Sequence, residues 1–334
     1  MPVALLAFTD RGFALAQTLA DALHGQAERC APDGGLSRWT QAHFERENAL
    51  IYVGAVGIAV RAIAPHCRHK SCDPAVVVVD ELGRFAIPIL SGHLGGANAL
   101  ARQIGCIIGA LPVITTATDI NGVFAVDVWA KAQHCRIENP AQIKRVSAAL
   151  LAGESVGIWS RWPISGAVPE GVIPTDRAHC SVLLDVGSHT DAPENTLHLV
   201  PRIGVLGVGC RRNTSRQALE EAFERWQVER GVCPQCISAA ATIDLKRDEQ
   251  GLLDFCAGHG WKLTFASAAQ LSTVPGDFKT SPFVQKITGV DNVCERAAVL
   301  ESGGTLYARK WAENGVTFAL ALKPYAPNWS DSNE

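Results

Sequence analysis

One glycine-rich stretch decides the fold, Ser91-Gly92-His93-Leu94-Gly95-Gly96-Ala97-Asn98. The apolar run 75–79 before it predicts a buried strand, and Gly83 marks a turn into a second run at 85–90. After it, apolar residues recur at helical spacing from Leu100 onwards. A glycine loop between a strand and a helix brings backbone close to a ligand and aims N–H groups at it. The stretch therefore predicts an anion-binding site.

The first part of the chain alternates between strand and helix patterns. Strand patterns lie at residues 3–8, 49–53 and 112–116, and helix patterns at 13–23, 56–64 and 123–133. This alternation predicts an α/β fold with a mainly parallel open sheet and helices on both faces. The 112–116 strand ends in Thr115 and Thr116, with Asp119 just beyond, where an open α/β sheet usually binds its ligand.

The length predicts more than one domain, because 334 residues exceed one ordinary core. We predict an N-terminal α/β domain at 1–136, a small α/β linking unit at 137–202 and a separate α/β C-terminal domain at 203–325. In the last of these, Thr214 and Gln217 have the spacing of a capping box at the start of a helix.

Charge and hydropathy narrow the expected partners and location. The net charge of -3 gives no global basic field, so nucleic acid and anionic membranes are not expected partners. No apolar run approaches the ~20 residues of a membrane helix, and residues 1–8 lack the basic lead-in of a signal peptide. We therefore expect a cytoplasmic protein that meets anionic ligands through local arginines and loops.

Eleven cysteines are present, and Cys233-Pro-Gln-Cys236 is the one pair with CxxC spacing. A zinc site would need further ligands, and neither a second CxxC nor an HxxxH lies at a suitable spacing. We therefore expect reduced, partly buried thiols and no protein-bound metal.

A second glycine motif, Gly207-Val208-Gly209-Cys210-Arg211-Arg212, starts like a dinucleotide fingerprint. Arg212 stands where the third glycine belongs, and no glycine loop ends in Gly-Lys-Ser or Gly-Lys-Thr. Nucleotide binding therefore lacks its usual residues. The motif is equally compatible with a carboxylate site built from N–H groups and guanidinium groups and with a tight turn carrying two solvated arginines.

Two interpretations of the first glycine loop remain open. Ser91 and His93 could form a nucleophile–base pair, although no Gly-x-Ser-x-Gly elbow is present. Alternatively, Ser91 caps the helix and backbone groups satisfy His93. Asp127 falls within a helix pattern, which favours a solvated face or a local ion pair.

Four segments of the first half resemble the CbiG family, the cobalt-precorrin-5A hydrolases of the anaerobic cobalamin pathway. They are residues 54–57, 73–80, 91–98 and 116–122, and residues 207–212, 243–252 and 288–298 resemble the family's C-terminal domain. Asn213 departs from the glycine expected after the paired arginines, but asparagine tolerates a left-handed backbone.

The resemblance implies that water opens the δ-lactone of cobalt-precorrin-5A and that acetaldehyde leaves, giving cobalt-precorrin-5B. The substrate carries its own cobalt, so no other cofactor and no protein metal ligand is expected. Neighbouring enzymes of the pathway and a second copy of the chain are further candidate partners. The alternative is a non-catalytic tetrapyrrole-binding or hand-over protein, because the C-terminal half also resembles a stand-alone protein of the aerobic route.

Lactone opening needs an activated water and a stabilised oxyanion. We predict three catalytic residues, His93, Asp119 and Ser91. His93 would act as the general base, and Asp119 would orient it. The Gly95 and Gly96 amides would hold the oxyanion. The remaining residues predicted to bind substrate are Gly54, Gly57, Arg61, Gly92, Asn98, Thr115, Thr116, Gly207, Gly209, Arg211 and Arg212.

Overall fold

The computed structural model describes residues 3–46, 49–69, 72–93, 95–188 and 192–332. Leu94 of the glycine loop and residues 1–2, which precede the predicted strand 3–8, lie outside this range. The chain divides into two compact units, Met1–Val128 with Ser332–Glu334, and Trp129–Asp331. Within the described ranges, no helix is long and apolar enough to cross a membrane.

The first unit contains one six-stranded sheet with the order β2-β1-β3-β4-β5-β6. Its strands are β1 (Val3–Ala7), β2 (Gln26–Arg29), β3 (Ala49–Val53), β4 (Ala75–Val79), β5 (Phe85–Leu90) and β6 (Leu111–Pro112). All neighbours pair in parallel except β4 and β5, which form an antiparallel hairpin. The predicted mainly parallel open sheet is therefore confirmed.

Helices cover both faces of this sheet. They are α1 (Asp10–Leu23), α2 (Gly35–Phe44), α3 (Val56–Ile63), α4 (Ala97–Ile108), α5 (Ala117–Ile120) and α6 (Val126–Ala132). Leu5 and Ile51 pack on one face with residues of α1 and α4, whereas Leu6 and Tyr52 pack on the other with residues of α2 and α3. Because both faces are buried, β1, β3 and β4 are continuous apolar runs rather than alternating ones.

The second unit contains two five-stranded sheets, with orders β7-β11-β10-β8-β9 and β14-β13-β12-β16-β15. The strands of the first are β7 (Cys135–Ile137), β8 (Val156–Ser160), β9 (Val172–Pro174), β10 (Val182–Leu184) and β11 (Leu197–Pro201). Those of the second are β12 (Gly204–Cys210), β13 (Ile237–Ile243), β14 (Lys262–Ala266), β15 (Thr305–Glu313) and β16 (Val316–Leu322). The helices are α7 (Ile143–Leu151), α8 (Arg216–Arg230), α9 (Gln250–Gly258), α10 (Ala268–Ser272), α11 (Pro282–Thr288) and α12 (Cys294–Ser302).

These sheets agree with the predicted small central α/β part and α/β C-terminal part. The predicted division at 136/137 falls inside β7, and the one at 202/203 falls between β11 and β12. Both divisions remain predictions.

The predicted capping box of α8 is wrong, because Ser215 is the N-cap and the residue three positions later is Ala218, which has no side chain that could complete the box. Ser215 Oγ accepts the hydrogen bond from Ala218 N at 3.2 Å, whereas Thr214 Oγ1 donates to the Arg211 carbonyl. Two adjacent hydroxyl residues offer the same cap, and the turn at Asn213 selects the second. Asn213 adopts the expected left-handed backbone, with φ of 57°.

Gly207 and Gly209 lie inside β12 rather than in a loop after it, which corrects their predicted position. Gly207 pairs with Ala241 on one side and Ala319 on the other. A Cβ at Gly207 would lie 1.8 Å from the Cys294 carbonyl oxygen. Glycine at this position therefore lets the start of α12 pack directly on the sheet.

This close approach makes Gly207→Ala strongly destabilising. The clash is with backbone, so helix and strand must separate, and we expect the unfolding free energy to fall by about 3 kcal/mol. Gly258→Ala is the matched control, because there a Cβ meets only the flexible end of Arg216. Urea unfolding of both variants measures the difference, and equal stabilities would contradict the packing role.

Candidate active site around His93

His93 lies between two carboxylates of the first unit. Its Nε2 is 2.8 Å from Asp119 Oδ2, and its Nδ1 is 3.3 Å from Asp127 Oδ2. Thr118 Oγ1 is 3.1 Å from Nε2. The His93 side chain is 17% exposed, and those of Asp119 and Asp127 are 16% and 9% exposed. A half-buried imidazole with a carboxylate at each nitrogen is the central feature of this site.

A second set of side chains fixes Asp119. Arg102 Nη2 donates to Asp119 Oδ1 at 2.6 Å, and the buried Asn98 amide donates to Asp119 Oδ2 at 2.9 Å. Asn98 Nδ2 also lies 2.7 Å from Thr116 Oγ1. Asn98 and Arg102 are one turn apart on α4, so one helix face holds the carboxylate that faces His93.

Two cavities meet at His93, and both are lined by Gly92, His93 and Asn98. The smaller, about 210 Å³, also contains Asp119 and Arg102 in its wall. The larger, about 310 Å³, contains Asp127 in its wall, together with Ser91, Thr115 and Thr116. Each carboxylate partner of His93 thus faces its own cavity.

The paired carboxylates favour the imidazolium form of His93. The interaction with Asp127 raises the pKa of His93 from 6.5 to about 8, burial opposes this rise, and Asp119 adds to it. Burial raises the pKa of Asp119, but hydrogen bonds from Arg102 and His93 outweigh it and leave that pKa below its ordinary value. At pH 7 only about one-tenth of His93 is neutral.

A resting imidazolium has no lone pair to accept a proton, so the raised pKa favours His93 as a proton donor over the predicted general base, and the role of His93 stays a prediction. The geometry agrees with the predicted contact between Asp119 and His93. Asp127 was predicted to lie on a solvated face or in a local pair, but it is buried against His93. A helix pattern alone does not show that its first turn faces a loop 34 positions earlier in the sequence, so this residue was missed.

Ser91 does not form the predicted nucleophile–base pair. Its hydroxyl donates to the Asp73 carbonyl at 2.9 Å, and within the described residues it makes no hydrogen bond to His93. It does not cap the helix either, since Gly96 holds the N-cap position of α4. Ser91 adopts a left-handed backbone with φ of 54°, which shapes the loop.

Two of the N–H groups that could bind an anion are used in hydrogen bonds within the loop. The N–H groups of Ala97 and Asn98 donate to the carbonyls of Ser91 and Gly92 at 3.1 and 3.0 Å. A Cβ at Gly95 would lie 2.3 Å from that of Ser91, so this glycine serves the closure of the loop. In the part of the chain that the structure describes, no acceptor meets the N–H groups of Gly95 and Gly96. Neither glycine lines either cavity, so their role as oxyanion donors stays a prediction.

Other predicted binding residues lie outside the two cavities. Gly54 packs against the Phe8 ring, while Gly57 and the exposed Arg61 belong to α3 and line neither cavity. Gly207, Gly209, Arg211 and Arg212 lie in the second unit. There, the first two glycines are explained by sheet packing, and Arg211 packs over the hairpin turn at Gly315.

The cysteines carry free thiols, as predicted. Cys233 and Cys236 are buried, and burial raises the pKa of both thiols, to about 12 for Cys233. Neither is therefore a reactive nucleophile at neutral pH.

Comparisons with known proteins cover almost the whole chain. The cobalamin synthesis G N-terminal region matches residues 38–119, the cobalamin biosynthesis central region matches 124–201, and the cobalamin synthesis G C-terminus matches 204–321. The cobalt-precorrin-5A hydrolase of Salmonella typhimurium is 35% identical over 341 residues, covering 96% of this chain and 97% of the relative. The chain belongs to the CbiG family.

Two further relatives differ in coverage. The cobalt-precorrin-5A hydrolase of Priestia megaterium is 34% identical over 301 residues, 84% of this chain and 80% of that protein. Protein CobE of Sinorhizobium is 29% identical over 120 residues, 35% of this chain and 78% of that protein.

The site combines two regions of the CbiG family. His93, Asn98, Arg102 and Asp119 lie in the N-terminal region, whereas Asp127 lies in the central region. The carboxylate that most raises the pKa of His93 therefore comes from the central region.

The raised pKa of His93 predicts a pH-dependent contribution to stability. A pKa of 6.5 when unfolded and about 8 when folded corresponds to about 2 kcal/mol, fully present below pH 6.5 and lost as pH rises through 8. We expect His93→Gln to destabilise the protein by about 2 kcal/mol more at pH 6 than at pH 9 in urea unfolding.

His179→Gln, which replaces a histidine with a 77% exposed side chain in the second unit, controls for loss of a histidine. We expect it to change stability by less than about 0.5 kcal/mol at either pH. If His93→Gln lowered the unfolding free energy by the same amount at pH 6 and pH 9, the paired carboxylates would not be stabilising the protonated form of His93.

Proposed function

We propose that this protein is a cobalt-precorrin-5A hydrolase whose chemistry takes place at His93. One observation carries the assignment of the site: an imidazole with a carboxylate at each nitrogen, at the meeting point of two cavities. The near-full-length similarity to cobalt-precorrin-5A hydrolases supports the reaction. The glycine loop that carries His93 is among the segments that resemble the CbiG family.

The smaller cavity suits a carboxylate at the rim of the substrate. Arg102 lines this cavity, and its half-exposed guanidinium donates a hydrogen bond to Asp119. Its other N–H groups can bind a peripheral acetate or propionate in a fork. Volumes of about 210 and 310 Å³ hold an edge of a macrocycle rather than the whole ring. We therefore propose that the lactone-bearing edge enters this site.

The proposed reaction has two stages. Water adds to the lactone carbonyl, the acyl carbon–oxygen bond breaks, and a carboxylic acid and an alcohol form. The alcohol then loses its proton as its carbon–oxygen double bond forms and the bond to the macrocycle breaks. Acetaldehyde leaves, and the electron pair of that carbon–carbon bond stays on the macrocycle. Both stages need proton transfer at neutral pH.

The two partners of one ion pair supply these transfers. In our proposal, Asp127 takes a proton from the attacking water in the larger cavity, and the His93 imidazolium protonates the departing alkoxide. The neutral imidazole then accepts the alcohol proton in the second stage, which restores the imidazolium, and Asp127 releases its proton to solvent before the next turnover. The Gly95 and Gly96 amides hold the oxyanion, and Asp119 keeps His93 oriented. The substrate carries its own cobalt, so these steps call for no other cofactor, and we propose that they occur in the cytoplasm.

Turnover distinguishes this enzyme from a carrier of tetrapyrroles. Incubation of the purified protein with excess cobalt-precorrin-5A should release many equivalents of acetaldehyde per protein molecule. A hand-over protein would bind one equivalent of the corrinoid and release none. Stoichiometric binding without acetaldehyde would therefore reject the hydrolase and favour the carrier.

The pH dependence of kcat distinguishes an acid from a base at His93. If the imidazolium donates the proton first, the rate is highest below the raised pKa and falls about tenfold per pH unit above about 8. We expect His93→Gln to lose this descending limb together with about 100-fold or more of kcat. Asp127→Asn should have a similarly low kcat, and the descending limb of its kcat–pH profile should move to lower pH.

Asp176→Asn is the control, because it removes an exposed carboxylate beside a histidine in the second unit. Its rate and pH profile should match those of the unmodified protein. A rate that rises through pH 8 would show that neutral His93 acts first, as a base, and would overturn this assignment of roles.

A further inference from the structure

A second cluster of chemically active side chains lies in the second unit, at Glu138, His198 and Cys233. One candidate ligand atom from each of these residues lies within 4.8 Å of the other two. Glu138 follows β7, His198 is on β11, and Cys233 precedes the short helical turn Pro234–Cys236. Three separate segments of the chain therefore converge on one point.

Backbone hydrogen bonds fix all three positions. Glu138 N donates to the His198 carbonyl at 3.1 Å, beside the antiparallel pairing of β7 with β11. On its other edge β11 pairs in parallel with β10, where Leu183 is the partner of His198. Cys233 N donates to the Val186 carbonyl at 2.9 Å. The donor atoms are thus carried by paired strands and a bonded turn, which preorganises them.

Two residues of the cluster are buried and the third is partly exposed. His198 is 0% exposed and Cys233 is 3% exposed, whereas the Glu138 side chain is 28% exposed. A binding site with two buried ligands and one at the surface has an entry path for a small ion. The imidazole Nδ1 and the Glu138 carboxylate are hydrogen-bonded to each other, so an ion that both bind would replace the proton between them and move the two atoms to about 3.3 Å apart.

We propose that Glu138, His198 and Cys233 bind one divalent ion of the zinc class. Thiolate, imidazole and carboxylate together are typical zinc ligands, and the sulfur disfavours Mg²⁺ and Ca²⁺. Three protein ligands leave a fourth position for water. Binding releases the Cys233 thiol proton to solvent, so the sulfur–metal bond replaces the sulfur–hydrogen bond.

The ion would join β7, β11 and the Cys233 turn, and so stabilise the second unit by mass action. It is separate from the cobalt that the substrate carries. The site revises our expectation from the sequence, which asked for metal ligands at regular spacing around the CxxC pair. The partners of Cys233 come instead from distant strands.

The test uses the full chain after treatment with a chelator, and Zn²⁺ alone as the probe. Isothermal titration should give one equivalent bound, and Zn²⁺ should raise the melting temperature. Co²⁺ in place of Zn²⁺ should give a sulfur-to-cobalt charge-transfer band. We expect Cys233→Ala to abolish the band and to weaken Zn²⁺ binding about 100-fold, and Glu138→Gln to weaken it about tenfold.

Cys236→Ala is the matched control, because it removes the other buried thiol of the CxxC pair and should keep the band and one equivalent of Zn²⁺. Circular dichroism without metal checks that each variant is folded, and the partly exposed Glu138→Gln tests the site if Cys233→Ala unfolds. Absence of stoichiometric binding would overturn the proposal, as would unchanged binding in both Cys233→Ala and Glu138→Gln. These readouts are independent of hydrolase activity.

Discussion

The ion pairs of His93 are the constraint on which the first unit's site depends. They hold the glycine loop, which carries the imidazole, against α5, which carries Asp119, and α6, which carries Asp127. The β4–β5 hairpin and α4 bring the loop to this place. A single imidazole thus links three segments of the chain through its two nitrogens. The same contacts set its protonation state.

The loop itself serves folding as much as binding. Gly95 permits the close return of the chain to Ser91, and Gly92 leaves room for the Asn98 amide, whose oxygen would lie 2.8 Å from a Cβ at Gly92. Asn98 in turn orients Asp119. A glycine-rich sequence therefore has two possible meanings, close approach to a ligand or close approach to the loop's own residues. Here, close approach to the loop's own residues accounts for Gly92 and Gly95. Close approach to a ligand stays a prediction for the amides of Gly95 and Gly96.

The sequence predicted what depends on local pattern. Strands β3 and β4 have their expected bounds because continuous apolar runs are buried on both faces of the sheet. Asp127 and the Glu138–His198–Cys233 cluster were missed because tertiary packing, not spacing, brings their partners together. Gly207 was misassigned for a related reason: a motif shared with ligand-binding loops arose from helix packing on β12.

The electrostatics of the site favour the proposed role of His93 as the first proton donor. A nucleophile–base pair needs a neutral imidazole with one free nitrogen, whereas here a carboxylate stands at each nitrogen and the pKa is about 8. The same interaction places the Asp127 side chain next to the proposed proton donor. Breaking the lactone requires a base for water and an acid for the alkoxide, and in the proposed mechanism one ion pair provides both. The second stage then begins with the imidazole already neutral.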